Sequence, residues 1–187
     1  MRIISGNFRG KKILEPKDIA TRPLKDLTKE SIFNIILHSN KLNIKIENSN
    51  ILDLFSGVGS FGLECLSRGA SFLTFVENYK EVLTILKKNI SNLNYQNNSL
   101  VIEEDIFNKS NFTNFKEKFD IIFMDPPYKE KDLLLLLEKI IISDVLAKKG
   151  IVIIHRHKKE KDEFPKNFRI IEERTYGISK IIFGNYY

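Results

Sequence analysis

From residue 50 onward, apolar and polar positions follow two alternating rhythms. Near-continuous apolar runs at 50–55 (NILDLF), 71–77 (SFLTFVE), 99–104 (SLVIEE), 119–125 (FDIIFMD) and 150–155 (GIVIIH) have the length and side chains of strands. Between them, the stretches around 60–68, 79–92 and 130–147 read as helices. Strands lacking a polar face, separated by helices, predict a parallel sheet covered on both sides. The tail differs: FRIIEERTYG and ISKIIFGNY are two strands around Gly177, expected as an antiparallel hairpin at the sheet edge. The fold class is therefore α/β, doubly wound and mostly parallel, with seven strands counting the hairpin.

Upstream of this pattern, MRIISGNFRGKKILEP reads as two short strands around a glycine-containing turn, closed by Pro16. LKDLTKESIFNIILHSN then carries Ile32, Phe33, Ile36 and Leu37 at helical spacing, and residues 40–50 form a polar connector. The expected organisation is a basic hairpin arm and helix over 1–40, followed by the α/β domain over 41–187.

Composition narrows the class. An apolar content of 42% supports a sizeable core and argues against disorder. The lone Cys65 allows no internal disulfide framework and no Cys/His cluster has zinc spacing, so a reducing cytoplasmic setting without a metal is expected. The N-terminus lacks the apolar core of a signal peptide. The most apolar segment, LLLLLEKIII, is broken by Glu138 and Lys139 and is too short to span a bilayer. A soluble monomer is the expectation. The formal net charge of +6 points to a polyanionic partner. Its placement sharpens that reading, because Arg2, Arg9, Lys11 and Lys12 lie in the first twelve residues with no acid among them.

After the first core strand, Gly57, Gly59 and Gly62 spell G-x-G-x-x-G, with Glu77 twenty residues past Gly57 at the end of the next strand. This satisfies the dinucleotide fingerprint, and a NAD site is one reading. Asp53, four residues before Gly57, opposes it, since a carboxylate at the mouth of the loop repels a pyrophosphate. That acid suits a ligand with positive groups, such as the ammonium and sulfonium of S-adenosylmethionine. Asp53, Glu77, Asp105 and Asp125 all fall at the carboxyl ends of strands, where ligands bind in this architecture.

The fourth core strand ends in Asp125-Pro126-Pro127-Tyr128. Prolines fix φ and offer carbonyls without competing N–H groups. A rigid loop of this kind can hold an exocyclic amine through the Asp125 carboxylate and the Pro126 carbonyl, aiming the nitrogen lone pair at a methyl group. Tyr128 would stack on a flipped-out or single-stranded base. Cys65 lies in the helix after the glycine loop, far from any Pro-Cys loop, and reads as core. His155 and His157 flank Arg156 and run into KKEKDE, which reads as a solvated loop.

DPPY resembles the signature of amino methyltransferases. MRIISGNFRGKKI, TRPLKDLTKESIFNII, ILDLFSGVGSFGLECLSRGA, FVEN, DPPY and the closing YGISKIIFGNY together resemble the bacterial 16S ribosomal RNA guanine-N2 methyltransferase family, in order from Met1 to the tail. The resemblance implies a seven-stranded Rossmann-like methyltransferase sheet, S-adenosylmethionine as cofactor, and 16S ribosomal RNA or the small subunit as partner. It also implies that Asp53, Phe55, Gly57 and Gly59 line the methionine end, Glu77 and Asn78 the ribose, and Asp105 with Ile106 the adenine. Arg2, Arg9, Lys11, Lys12 and Arg22 would track phosphates. Two positions depart from the family pattern: Leu24 stands where Thr is usual and Leu27 where a basic residue is usual. An adenine-N6 DNA methyltransferase and a non-catalytic RNA-binding assembly factor are the rival readings.

Overall fold

A computed structural model of the chain describes residues 1–16, 24, 26–107, 112, 115, 117–127 and 132–187. Strands β1 (Asn50–Leu54), β2 (Phe72–Val76), β3 (Ser99–Ile102), β4 (Phe119–Met124), β5 (Leu146–His157), β6 (Phe168–Tyr176) and β7 (Ser179–Tyr186) form a sheet ordered β3-β2-β1-β4-β5-β7-β6. The first five in that order pair in parallel, and β7 pairs antiparallel with both β5 and β6. Helices α1 (Asp26–His38), α2 (Ser60–Ser67), α3 (Lys80–Asn92) and α4 (Leu133–Ile142) complete the fold. The chain leaves β1 toward β2 and β3, then returns to the other side of β1 as β4. The topological switch therefore lies between β1 and β4, where ligand clefts form in such sheets.

Because side chains alternate faces along a strand, each central strand feeds two cores. Ile51, Phe75, Ile121, Phe123, Ile151, Ile153, Ile181 and Phe183 join buried residues of α1, α2 and α3 in one cluster. Leu52, Leu54, Val76, Ile122, Met124, Val152, Ile154 and Ile182 join Leu133, Leu136, Leu137 and Ile140 of α4 in the other. This double burial explains the continuous apolar runs. Gly62 allows α2 to lie close on β2, since a Cβ there would stand 2.4 Å from Phe75 Cε1 and 2.6 Å from Leu73 Cδ2.

Three expectations are revised. The two short strands of the terminal hairpin are reduced to one antiparallel bridge, Arg2 with Lys12, flanked by N–H donation from Ile3 to the Lys11 carbonyl at 2.9 Å and from Ile13 to the Met1 carbonyl at 3.1 Å, and the hairpin also docks onto α2 and α3. The helix expected over 130–147 gives way earlier, α4 ending at Ile142, because Phe119 pairs with Leu146 and draws that segment into β5. Finally, β5 runs on to His157 because β7 pairs with it as far as Ser179, so His155 and Arg156 are buried strand residues and not part of a solvated loop.

The docking is polar and specific. Glu64 of α2, fully buried, accepts the N–H groups of Ile4 at 2.7 Å and Ser5 at 2.9 Å, and pairs with Arg68 at 2.8 Å and Lys29 of α1 at 3.5 Å. Lys29 Nζ also donates to the Arg2 carbonyl at 2.7 Å. Burial holds the Lys29 pKa below the ordinary value, against the raising pull of Glu64 and Asp26. Ile3 and Ile13 share a cluster with Ile32, Phe33 and the sheet, so one core runs beneath the N-terminal segment and the α/β layers alike.

Candidate active site

The alternation that fills the first core carries polar side chains into one cavity where the strands end. Two residues beyond Ile51 is Asp53, and two beyond Phe123 is Asp125. Two beyond Ile153 is His155, and Ser179 stands two residues before Ile181 on antiparallel β7. All four line a cavity of about 440 Å³, together with Phe55, Gly57, Phe61, Glu77, Asn78, Pro126 and Pro127 among others. The cavity opens at the carboxyl ends of β1 and β4, at the topological switch.

The loop after β1 is built around carboxylates. Gly57 N–H donates to Glu77 Oε2 at 2.8 Å, and Glu77 Oε1 accepts from Asn78 and Tyr79 N–H, both at 2.9 Å. Gly62 N–H donates to Asp53 Oδ2 at 3.1 Å, and Gly59 N–H to the Ser56 carbonyl at 2.8 Å. The loop turns sharply: Phe55 has φ +59°, an uncommon conformation for a bulky residue, and Gly57 and Gly59 follow at +55° and +85°. The far side of the loop is held by Asn89 of α3, whose Nδ2 donates to the Val58 carbonyl at 3.0 Å and the Leu14 carbonyl at 3.1 Å.

Asp53 is held under electrostatic tension. It is 1% exposed, and its Oδ1 has no hydrogen-bond partner. Burial raises its pKa well above the ordinary carboxylate value; the Gly62 N–H opposes this, and the charges of Asp125 and Glu77 add to it. A buried carboxylate with one unmet oxygen, beside two further acids, is complementary to a cationic group. The same arrangement disfavours a pyrophosphate, because the N–H groups of Gly57, Gly59 and Gly62 that would cradle it are committed to Glu77, the Ser56 carbonyl and Asp53. Cys65 does not join this site: it is buried in α2, and burial pushes its thiol pKa well up, away from nucleophilic use.

The end of β5 grips the loop after β4 from both faces of the sheet. His155 Nδ1 lies 2.8 Å from Asp125 Oδ1, and its Nε2 lies 2.9 Å from Ser179 Oγ. Arg156, pointing the opposite way and only 2% exposed, donates Nη1 to the Pro127 carbonyl at 3.2 Å and Nε to Asp162 Oδ1 at 2.8 Å. Asp125 N–H faces the Leu54 carbonyl at 3.4 Å, tying the loop back to β1.

Of the residues singled out in the sequence, Asp53, Phe55, Gly57, Glu77, Asn78, Asp125, Pro126 and Pro127 come together at the cavity. Gly59 is buried behind it, where a Cβ would stand 2.6 Å from Leu86 Cδ1. Asp105 and Ile106 follow β3 but are not among the cavity-lining residues; Asp105 Oδ1 accepts the Phe107 N–H at 2.9 Å. Arg2, Arg9, Lys11 and Lys12 are all exposed on the docked N-terminal segment. Tyr128 and Arg22 lie outside the described residues. His155 and Ser179 were not expected at the site. Pro16, Leu24 and Thr28 also line the cavity, which brings the N-terminal segment and α1 to its rim. No helix among the described residues is long and apolar enough to cross a membrane.

Residues 1–185 match the family described as Conserved hypothetical protein 95. The ribosomal RNA small subunit methyltransferase D of Haemophilus influenzae is 32% identical, over 95% of this chain and 90% of its own. The protein of that name from Buchnera aphidicola subsp. Acyrthosiphon pisum is 33% identical, over 92% of this chain and 86% of its own. Among solved structures, the Escherichia coli protein yhhF superposes with a TM-score of 0.81 at 26% identity, covering 98% of this chain and 96% of its own. A Haemophilus influenzae protein does so with a TM-score of 0.75 at 29% identity, covering 98% and 96%. The match runs along nearly the whole chain in sequence and in backbone, and the chain belongs to this family, that of the ribosomal RNA small subunit methyltransferase D proteins.

Proposed function

We propose that this chain methylates the exocyclic N2 amine of a guanine in small-subunit ribosomal RNA, with S-adenosylmethionine as methyl donor. One observation carries the cofactor reading: the N–H groups of Gly57 and Gly62 are already bound to Glu77 and Asp53, while Asp53 Oδ1 is left buried and unmet. The donor set thus fits an ammonium-bearing ligand and not a dinucleotide. The RNA reading is supported by the family relatives, whose names specify small-subunit ribosomal RNA.

When bound, S-adenosylmethionine supplies a methyl group on a sulfonium, which a nucleophile displaces in line as the sulfur departs with the bonding pair as a neutral thioether. Asp53 and the loop around Gly57 would hold the methionine end, with Phe55 against it. Glu77 has one acceptor site beyond its three N–H partners, which suits a ribose hydroxyl beside Asn78. Asp105 and Ile106 would flank the adenine. At the other wall, the Asp125 carboxylate and the Pro126 carbonyl would accept the two N–H bonds of the target amine. Asp125 would then take the proton that the amine sheds on gaining the methyl group. Such catalysis is chiefly positioning and preorganised charge. Tyr128 would stack on the base, and the exposed cations Arg2, Arg9, Lys11 and Lys12, with Arg22, would follow the phosphates.

The test is a labelled-methyl transfer assay with purified protein and small-subunit RNA or subunits, alongside calorimetry with S-adenosylmethionine and with NAD. Transfer to RNA and binding of the former alone are expected. Binding of NAD in place of S-adenosylmethionine would contradict the reading of Asp53, and label entering DNA in preference to RNA would contradict the substrate.

A further inference from the structure

His155 reaches the cavity on a strand end that the proposed chemistry does not itself use. It lies beside Asp125, because β4 and β5 run in parallel register with Met124 opposite Ile154. Its two ring nitrogens are both engaged, Nδ1 with Asp125 Oδ1 at 2.8 Å and Nε2 with Ser179 Oγ at 2.9 Å. A carboxylate can only accept, so Nδ1 carries the proton and donates to Asp125. In the neutral ring Nε2 then accepts, and Ser179 donates its hydroxyl proton. The three side chains form an ordered chain in which β7 fixes the ring and the ring fixes the acid. His155 and Ser179 are both buried, so this chain has little freedom to reorient.

We infer that His155, braced by Ser179, is a positioning residue that orients Asp125 for capture of the amine. Donation to Oδ1 pins the carboxylate rotamer. It leaves Oδ2 to face the incoming N–H. Without the ring, Asp125 samples several rotamers, and the amine is held less often in line. The inference rests on the proposed methyl transfer to an amine and adds to it a member absent from the four-residue motif.

The test measures single-turnover methyl transfer to small-subunit RNA for His155→Ala, His155→Asn and Ser179→Ala, with cofactor binding followed in parallel. His155→Ala is expected to lower the transfer rate by roughly 10- to 100-fold, as for other partners that orient an active-site ligand. KM for RNA and cofactor affinity stay near wild type. His155→Asn recovers much of the rate, because its amide N–H stands close to the place of Nδ1–H. In an Asp125→Ala background, His155→Ala causes no further loss, since its effect passes through that acid. Wild-type rate in His155→Ala overturns the inference, as does an Asn variant no better than Ala, or an undiminished loss in the Asp125→Ala background. If His155→Ala loses its fold, as judged by lost cofactor binding, Ser179→Ala decides: a reduced rate with intact cofactor binding supports the brace, and an unchanged rate overturns it. A wild-type protein that methylates no RNA would instead defeat the proposed function, and is seen before any variant is compared.

Discussion

A carboxylate sealed from water at the end of a central strand is costly to keep charged, and Asp53 is such a group. In the ligand-free protein, burial and the neighbouring charges of Asp125 and Glu77 raise its pKa well above the value of 3.8 that an unperturbed aspartate has. The folded chain therefore binds a proton that the unfolded chain has released. Stability is lost as pH climbs from the ordinary carboxylate range through the raised value. Asp53→Asn removes that loss, so near neutral pH the ligand-free variant should melt above wild type. Its affinity for S-adenosylmethionine should nevertheless fall by about 1–3 kcal/mol, the range for a lost charge-assisted hydrogen bond. A cationic ligand also expels the proton from Asp53 wherever pH lies below the raised value. Wild-type binding should therefore weaken as pH falls and release protons, seen in calorimetry as heats that depend on the buffer's ionisation enthalpy. Binding with no proton release at any pH, and an Asn variant no more stable than wild type, would mean that Asp53 is not the cation's partner.

At the scale of elements, what was legible in the sequence depended on how local the signal was. The glycine loop, the acids closing β1, β2 and β4, and the proline pair are consecutive letters with one chemical reading, and the strands around them are long apolar runs. His155 and Arg156 were missed because polar letters after an apolar run look like a loop. A usable signal was present: Ile151, Ile153 and His155 share one face of β5, as Phe123 and Asp125 share one face of β4. Extending that face by one step leads into the cavity. The pairing of β5 with β7, which keeps the strand going to His157, joins segments more than twenty residues apart and leaves no local mark. The same holds for the arm, whose docking joins it to Glu64 and Asn89, over fifty and over seventy residues away. The packing of α2 on β2 offers a direct check. Gly62→Ala puts a Cβ into the buried ring of Phe75 and the side chain of Leu73, which should destabilise the fold by about 1–3 kcal/mol. A lowered denaturant midpoint with an unchanged m-value is expected, and a neutral substitution would show that this contact has room to relax.

Across the whole molecule, the N-terminal segment lies on α2 and α3 with its main chain bound and its cations turned outward. Its anchor points lead to the cavity: Leu14 bonds to Asn89, which bonds to the loop carbonyl of Val58, and Pro16 lines the rim. Replacing Arg2, Arg9, Lys11 and Lys12 by neutral residues should thus leave the fold and cofactor binding near wild type. RNA affinity should fall, and the slope of log affinity against log salt should flatten by roughly 0.7–0.9 for each phosphate contact removed. Titrations at several salt concentrations measure this, and an unaltered slope would mean that these cations face solvent and not RNA. Such a change alters how firmly RNA is held, but not which atom receives the methyl group. The acceptor atom is settled most directly by mass spectrometry of nucleosides from small-subunit RNA incubated with isotopically labelled S-adenosylmethionine and either the wild-type protein or Asp125→Ala. N2-methylguanosine is expected as the labelled nucleoside with wild type, with a yield lower by about 10²–10³ with the variant. Label in N6-methyladenosine, or a fully active Asp125→Ala protein, would contradict it.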